Sequence, residues 1–187
     1  DGPTGTQDAA NQPLALDAAP TARLTGADYW NRGRTSGLVA IDRELKDLGD
    51  PWKYGPGDPR FVEVVFRSAS LHHERRILTH SQADAKLVLE MINRLTSQPG
   101  HENIPGADNM LFLQALAFRF LGRDSDMNRS LMQVIQLYPQ SRLVAFVYLV
   151  YAEDLYATKR YDLAERYYKK VTQLRDSEAY AYALFQL

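Results

Sequence analysis

Residues 148–171 read YLVYAEDLYATKRYDLAERYYKKV, and the spacing of the apolar groups in this stretch decides the fold class. Tyr148, Tyr151, Ala152 and Leu155 recur at intervals of three and four, the pattern of one face of an α-helix. Tyr161, Ala164, Tyr168 and Val171 repeat the pattern after a tight turn, which predicts helices over 141–158 and 161–174. Two antiparallel helices approach closely only if small side chains stand where they cross. Ala152 and Ala164 occupy such positions here, and Tyr168 is large enough to fill the gap to the next helix.

The same order of residues lies one unit upstream. Leu111, Gln114, Ala115 and Phe118 are followed by Gly122, then by Met127, Leu131, Val134 and Pro139, on predicted helices over 107–121 and 124–137. The pair of units resembles the tetratricopeptide repeat, whose signature runs W-x2-L-G-x2-Y, then A-x3-F, then P. The resemblance covers 107–187 and implies an all-α, superhelical array of antiparallel helix hairpins, a TPR-like α-solenoid. The first unit departs from the pattern where Gln114 replaces Leu and Met127 replaces a small residue, so its helix crossing is expected to be looser or shifted. Ala115 and Ala152 lie 37 residues apart, three more than in the standard repeat, with the extra length around YPQSRLVAF (138–146). That lengthened turn resembles the periplasmic and outer-membrane lipoprotein branch of the family. Ser177, Leu184 and Leu187 keep the register of Ser141, Tyr148 and Tyr151, so a third unit is expected to begin near Ser177 and to continue in a longer natural protein.

Upstream, the composition changes twice. Residues 1–28 contain no aromatic side chain and one basic residue, Arg23, and bury too little apolar surface to offset the entropy of ordering, so they read as a flexible N-terminal arm or tether. Residues 29–106 read as an N-terminal helical capping region with irregular loops. Leu38, Ile41, Leu45 and Leu48 predict a short helix over 37–48, and DPWKYGPGDP (50–59) is a loop whose Trp52 and Tyr54 are expected to dock on a neighbouring helix. Pro59 is placed at the opening of a helix that runs to Thr79, Ser81 at the N-cap of another over 82–96, and SQPGHENIPG (97–106) as a second loop. No segment alternates as a strand would.

The 187 residues carry 22 basic and 23 acidic side chains, a formal net charge of −1, which argues against nucleic acid held by bulk charge. There is no cysteine, which excludes disulfides, thiolate metal sites and thiol catalysis. No apolar run approaches the roughly 20 residues of a membrane span. The chain begins at Asp1 rather than Met, which reads as a processed or trimmed product from which any signal peptide has gone. The arm over 1–28 is then expected to be the spacer from an anchor upstream of residue 1.

Residues of catalytic or ligand type are few. His72, His73, Glu74 and His80 cluster, but His73 and His80 lie two helical turns apart, about 10 Å, and no HExxH motif is present; a polar helix end is the reading, with no metal and no other cofactor expected. Glu153 and Asp154 point about 100° apart on a helix, and no P-loop, G-x-S-x-G or G-x-G-x-x-G can be written, so no enzyme activity is expected. Basic residues over 159–175 are interleaved with Asp162 and Glu165, the pattern of a solvated face. Eight of the eleven tyrosines fall in 148–182, where the repeat requires inter-helix packing.

Projecting the repeat register places Asn109, Phe112, Leu116, Arg119 and Phe120 of the first unit on the concave face. Phe146, Leu149, Glu153 and Tyr156 of the second join them there. Such a groove, with an apolar floor and polar anchors, suits an extended peptide or a helix of a protein partner. The resemblance therefore implies a non-catalytic scaffold in a bacterial periplasm or at the outer-membrane periphery. Its alternatives are a helical accessory domain of a larger cell-wall enzyme, which a catalytic domain beyond Leu187 would reveal, and an oligomeric structural component.

Overall fold

The structure is a computed structural model that describes residues 26–187, with side chains from residue 33 onward. The expected arm over 1–28 therefore lies almost wholly outside the described residues. Every regular element among the described residues is helical: α1 (Gly26–Leu48), α2 (Phe61–Thr79), α3 (Gln82–Thr96), α4 (Ala107–Phe120), α5 (Asp124–Leu137), α6 (Leu143–Ala157), α7 (Tyr161–Gln173) and α8 (Tyr180–Gln186). Short 3₁₀ turns occupy Pro51–Lys53 and His101–Asn103. Residues Gly37–Leu187 form one compact unit, which holds every contact described below.

Four helix starts differ from the periodicity. α1 begins at Gly26, well before 37, because its first turns carry no apolar stripe for periodicity to detect. At Gly37 a β-carbon would lie 3.2 Å from Leu78 Cδ1, so the missing side chain lets α1 come close to the end of α2. α2 starts at Phe61, not at Pro59: the Asp58 carboxylate accepts the Arg60 N–H at 2.8 Å and its carbonyl accepts the Phe61 N–H at 2.9 Å, leaving Pro59 in the preceding turn. Ser141 and Ser177 precede α6 and α8 in one shared turn. Each side-chain oxygen accepts the backbone N–H two residues on, from Leu143 and Ala179, both at 3.1 Å, so these helices begin two and three residues late. Ser81 caps α3 by accepting the Asp84 N–H at 3.1 Å.

The two hairpins α4–α5 and α6–α7 turn by the same chemistry. The Arg123 N–H donates to Phe118 O at 2.9 Å and the Gly122 N–H to Arg119 O at 3.0 Å; 37 residues on, Arg160 donates to Leu155 O at 2.8 Å and Lys159 to Tyr156 O at 2.9 Å. These are paired Schellman closures around a left-handed residue, Gly122 at φ +70° and Lys159 at φ +61°.

Helices pair most closely as α2 with α3, α4 with α5, and α6 with α7, and each pair packs on the next through α3–α4, α5–α6 and α7–α8. The first helices of successive pairs also touch, α2 with α4 and α4 with α6. One core runs from α2 to α6 around Val65, Val88, Ile92, Met110, Leu131 and Val147. A second joins α6, α7 and α8 around Ala152, Ala164, Tyr168, Val171 and Ala183. α6 contributes to both, which explains why its sequence is apolar on every side.

Ala115, Ala152, Ala164 and Tyr168 are all buried. Both residues that depart from the repeat pattern in the first unit lie at the α4–α5 crossing. Met127 is buried in it, and Gln114 bridges it by accepting from Ser130 Oγ at 2.9 Å while donating to Asn93 Oδ1 of α3 at 2.8 Å. A hydrogen bond replaces the apolar contact that Leu would make.

Candidate interaction face

The residues projected onto one face of α4 and α6 do not behave alike. Phe112 and Phe146 meet across the two helices with ring centroids 6.5 Å apart. Leu116 and Leu149 are half-buried against the two cores. Phe120 lies under the guanidinium of Arg76 of α2, 4.7 Å from its centroid. Asn109 is exposed at the start of α4, and Tyr156 is exposed at the end of α6, edge-on to Tyr161 at 5.2 Å.

Arg119 and Glu153, the polar anchors of that face in the sequence, are already engaged. Arg119 Nη2 forms an ion pair with Asp154 Oδ1 of the next hairpin. Glu153 Oε1 accepts the Tyr168 hydroxyl at 2.7 Å and the Tyr182 hydroxyl at 3.0 Å, which ties α6 to α7 and α8. Burial, with the Glu153 bond behind it, pushes the Tyr168 phenol far above its ordinary range. Periodicity places Asp154 off the face, and its role went unread because Arg119 finds it only when the hairpins stack. The one available signal was a pair of acids in an otherwise apolar helix.

Beside the ion pair, the turns of the two hairpins enclose an open cleft of about 680 Å³, lined by Asp124, Tyr151, Arg160 and Tyr167 among others. Burial raises the Asp154 carboxyl above the usual carboxylate range, Asp124 and Glu153 add to the rise, and Arg119 opposes it. The cleft therefore holds a carboxylate whose charge is incompletely compensated. On α7, Lys170 Nζ sits 5.0 Å from the Tyr148 centroid and 4.7 Å from that of Tyr167, so this basic residue of the 159–175 stretch serves packing.

The histidines separate. His72 Nδ1 lies 2.7 Å from Asp84 Oδ1, and Arg75 Nη1 reaches the same oxygen at 3.3 Å. Ser68, one turn before His72, is buried and makes no hydrogen bond, so the His72–Asp84 pair does not extend to a hydroxyl. His80 is the left-handed residue (φ 55°) that ends α2, Glu74 is exposed, and His73 is turned inward with Nδ1 unpartnered. Among the described residues no group of three His, Asp or Glu side chains converges on a common point. Among the same residues no helix is long and apolar enough to cross a membrane.

The 50–59 loop is held by Arg94 of α3, a contact absent from the sequence reading. Its guanidinium donates to Pro51 O at 2.9 Å and to Tyr54 O, and stands 5.4 Å from the Trp52 centroid. Tyr54 packs on the core, whereas Trp52 stays 44 % exposed.

Compared with protein-family profiles, curated proteins and solved structures, the chain shows no match.

Proposed function

We propose that the chain is a TPR-like scaffold without catalytic function that binds a protein partner in the bacterial cell envelope along the face formed by its first helices, α2, α4 and α6. The observation that carries this reading is the repeated hairpin. Two consecutive units close by the same backbone bonds at a 37-residue offset, with buried alanines at their crossings. Repetition of one unit lays corresponding helices side by side, and the row of first helices then forms a preformed, rigid concave surface. Rigidity lowers the ordering cost of capturing an extended peptide or helix. Phe112 and Phe146 supply the aromatic floor, Asn109 and Tyr156 the exposed ends, and Arg119 and Glu153 hold the floor in shape rather than contacting the partner.

Photo-crosslinking tests it. A photoreactive amino acid at Asn109 or Tyr156, in cells of the source bacterium, should yield one dominant envelope-protein adduct. The same group at Gln133 or Arg166, on the second helices, should yield none. Equal adducts from both faces would sink the reading.

A further inference from the structure

The turn that opens α6 is used again at α8, where Ser177 makes the side-chain bond that Ser141 makes before α6. Leu149 lies 37 residues after Phe112 and 36 before Phe185, so these three hold one position on three successive first helices. Asn109, Phe146 and Tyr182 hold a second such position. The contacts repeat as well. Phe146 meets Phe112 of the first helix before it, and the Tyr182 hydroxyl reaches back to Glu153 Oε1 of α6 at 3.0 Å. Leu184 and Leu187 stand instead at the positions of Tyr148 and Tyr151, the side of α6 that Tyr167 of α7 covers.

The row of first helices therefore ends on an open aromatic group. Phe185 is 85 % exposed, more than any other large apolar side chain among the described residues, and Tyr156 and Tyr182 are exposed as well. Scattered apolar groups are ordinary on a surface, but aromatics gathered on one face have the composition of an interface core.

Charge decides what such a row can take. The charged groups of the face are answered within the chain, Arg119 by Asp154 and Glu153 by the phenols of Tyr168 and Tyr182, and α8 carries neither acid nor base. A charged segment would lose its water here without gaining a counter-ion. An extended segment would also need partners for its own N–H and C=O groups, which aromatic rings do not supply. A helix satisfies those groups internally.

We infer that α6 and α8 together dock an amphipathic helix of the protein partner by its uncharged, apolar stripe, with Phe185 as the anchor that the stripe buries. This rests on the interaction face proposed above and adds to it a further first helix and the chemistry of the bound segment.

The test titrates the intact chain with three fluorescent peptides of about 18 residues, roughly five helical turns. One is a helix with a leucine stripe on a Lys/Glu back, one the same helix with glutamate in the stripe, and one a proline-rich extended peptide. Saturable binding of the leucine helix alone is expected, changing less than about twofold between about 50 and 500 mM salt, since no ion pair forms. Phe185→Ala should weaken it about tenfold and leave the melting temperature unchanged, because the ring is solvent-exposed in the free chain. Met132→Ala, exposed on α5, should leave binding as it was. No saturable binding, preference for either control peptide, loss of binding at high salt, or equal binding by Phe185→Ala would each overturn the inference. So would a doubled mass of the peptide-free chain that Phe185→Ala halves, which would make a second copy the occupant. Crosslinking in cells separates this site from the face: adducts at Asn109 and Tyr156 with none at Phe185 would remove the α8 site alone, whereas adducts no more frequent at any of the three than at Gln133 would remove the face itself.

Discussion

Arg119 of α4 and Asp154 of α6 join two hairpins through a single ion pair, and the two partners are not equivalent. Burial holds the Asp154 carboxyl above its usual range despite the guanidinium, so its charge is a net burden on the fold.

That asymmetry sets the first prediction. Arg119→Ala leaves Asp154 uncompensated and should cost about 1–2 kcal/mol at neutral pH, between the values for exposed and buried pairs. Asp154→Asn should fall within about 0.5 kcal/mol of the parent and should rescue Arg119→Ala in the double variant. A raised folded-state value means that stability from this group is present at low pH and lost as pH rises, so the Arg119→Ala deficit should shrink on acidification. Chemical denaturation of the four proteins at two pH values checks all three statements.

The left-handed hairpin residues separate by chemistry. Lys159 at φ +61° carries a β-carbon where Gly122, at φ +70°, carries none. Lys159→Gly should raise stability by about 0.5–1 kcal/mol, and Gly122→Ala should lower it by about 1 kcal/mol. Thermal melts of the two variants should move in opposite directions; movement in the same direction would refute the shared closure.

Ala152 sits at the α6–α7 crossing with no exposed surface. Ala152→Leu must separate the helices or distort their side chains, at a cost of about 1–3 kcal/mol or more. An unchanged melting temperature would show that the crossing lies elsewhere.

His73 supplies a pH dependence. Burial first, then Arg76, holds its imidazole down at about 4, against an ordinary value of 6.5. The unfolded chain therefore takes up the proton first as pH falls, so this contribution is full above about 6.5 and is lost progressively toward 4. His73→Gln should lose less stability than the parent between pH 7.5 and 4.5, measured as the urea midpoint. Parallel losses would mean that His73 is solvated.

Much of this architecture was legible in one dimension. Three- and four-residue spacing located α3 to α7, because a helix buried on one side must repeat its apolar groups with its own period. Ser81 announced its helix because an N-cap acts through a bond three residues away. Helix starts at Ser141, Ser177 and Pro59 were misplaced by a few residues, since each turn spends its first donors on a side chain or carbonyl before the helical ladder begins.

Local periodicity alone therefore determined the helical class, the hairpin order and the alanines at the crossings: these depend on residues within one or two turns of each other. Only the tertiary structure decided what the charged groups do. The pairing of Arg119 with Asp154, the two phenols on Glu153 and the hold of Arg94 on the 50–59 loop all join groups distant in the chain. A charge takes its meaning from whichever opposite group packing brings within a few ångströms, and no spacing rule along one helix contains that distance.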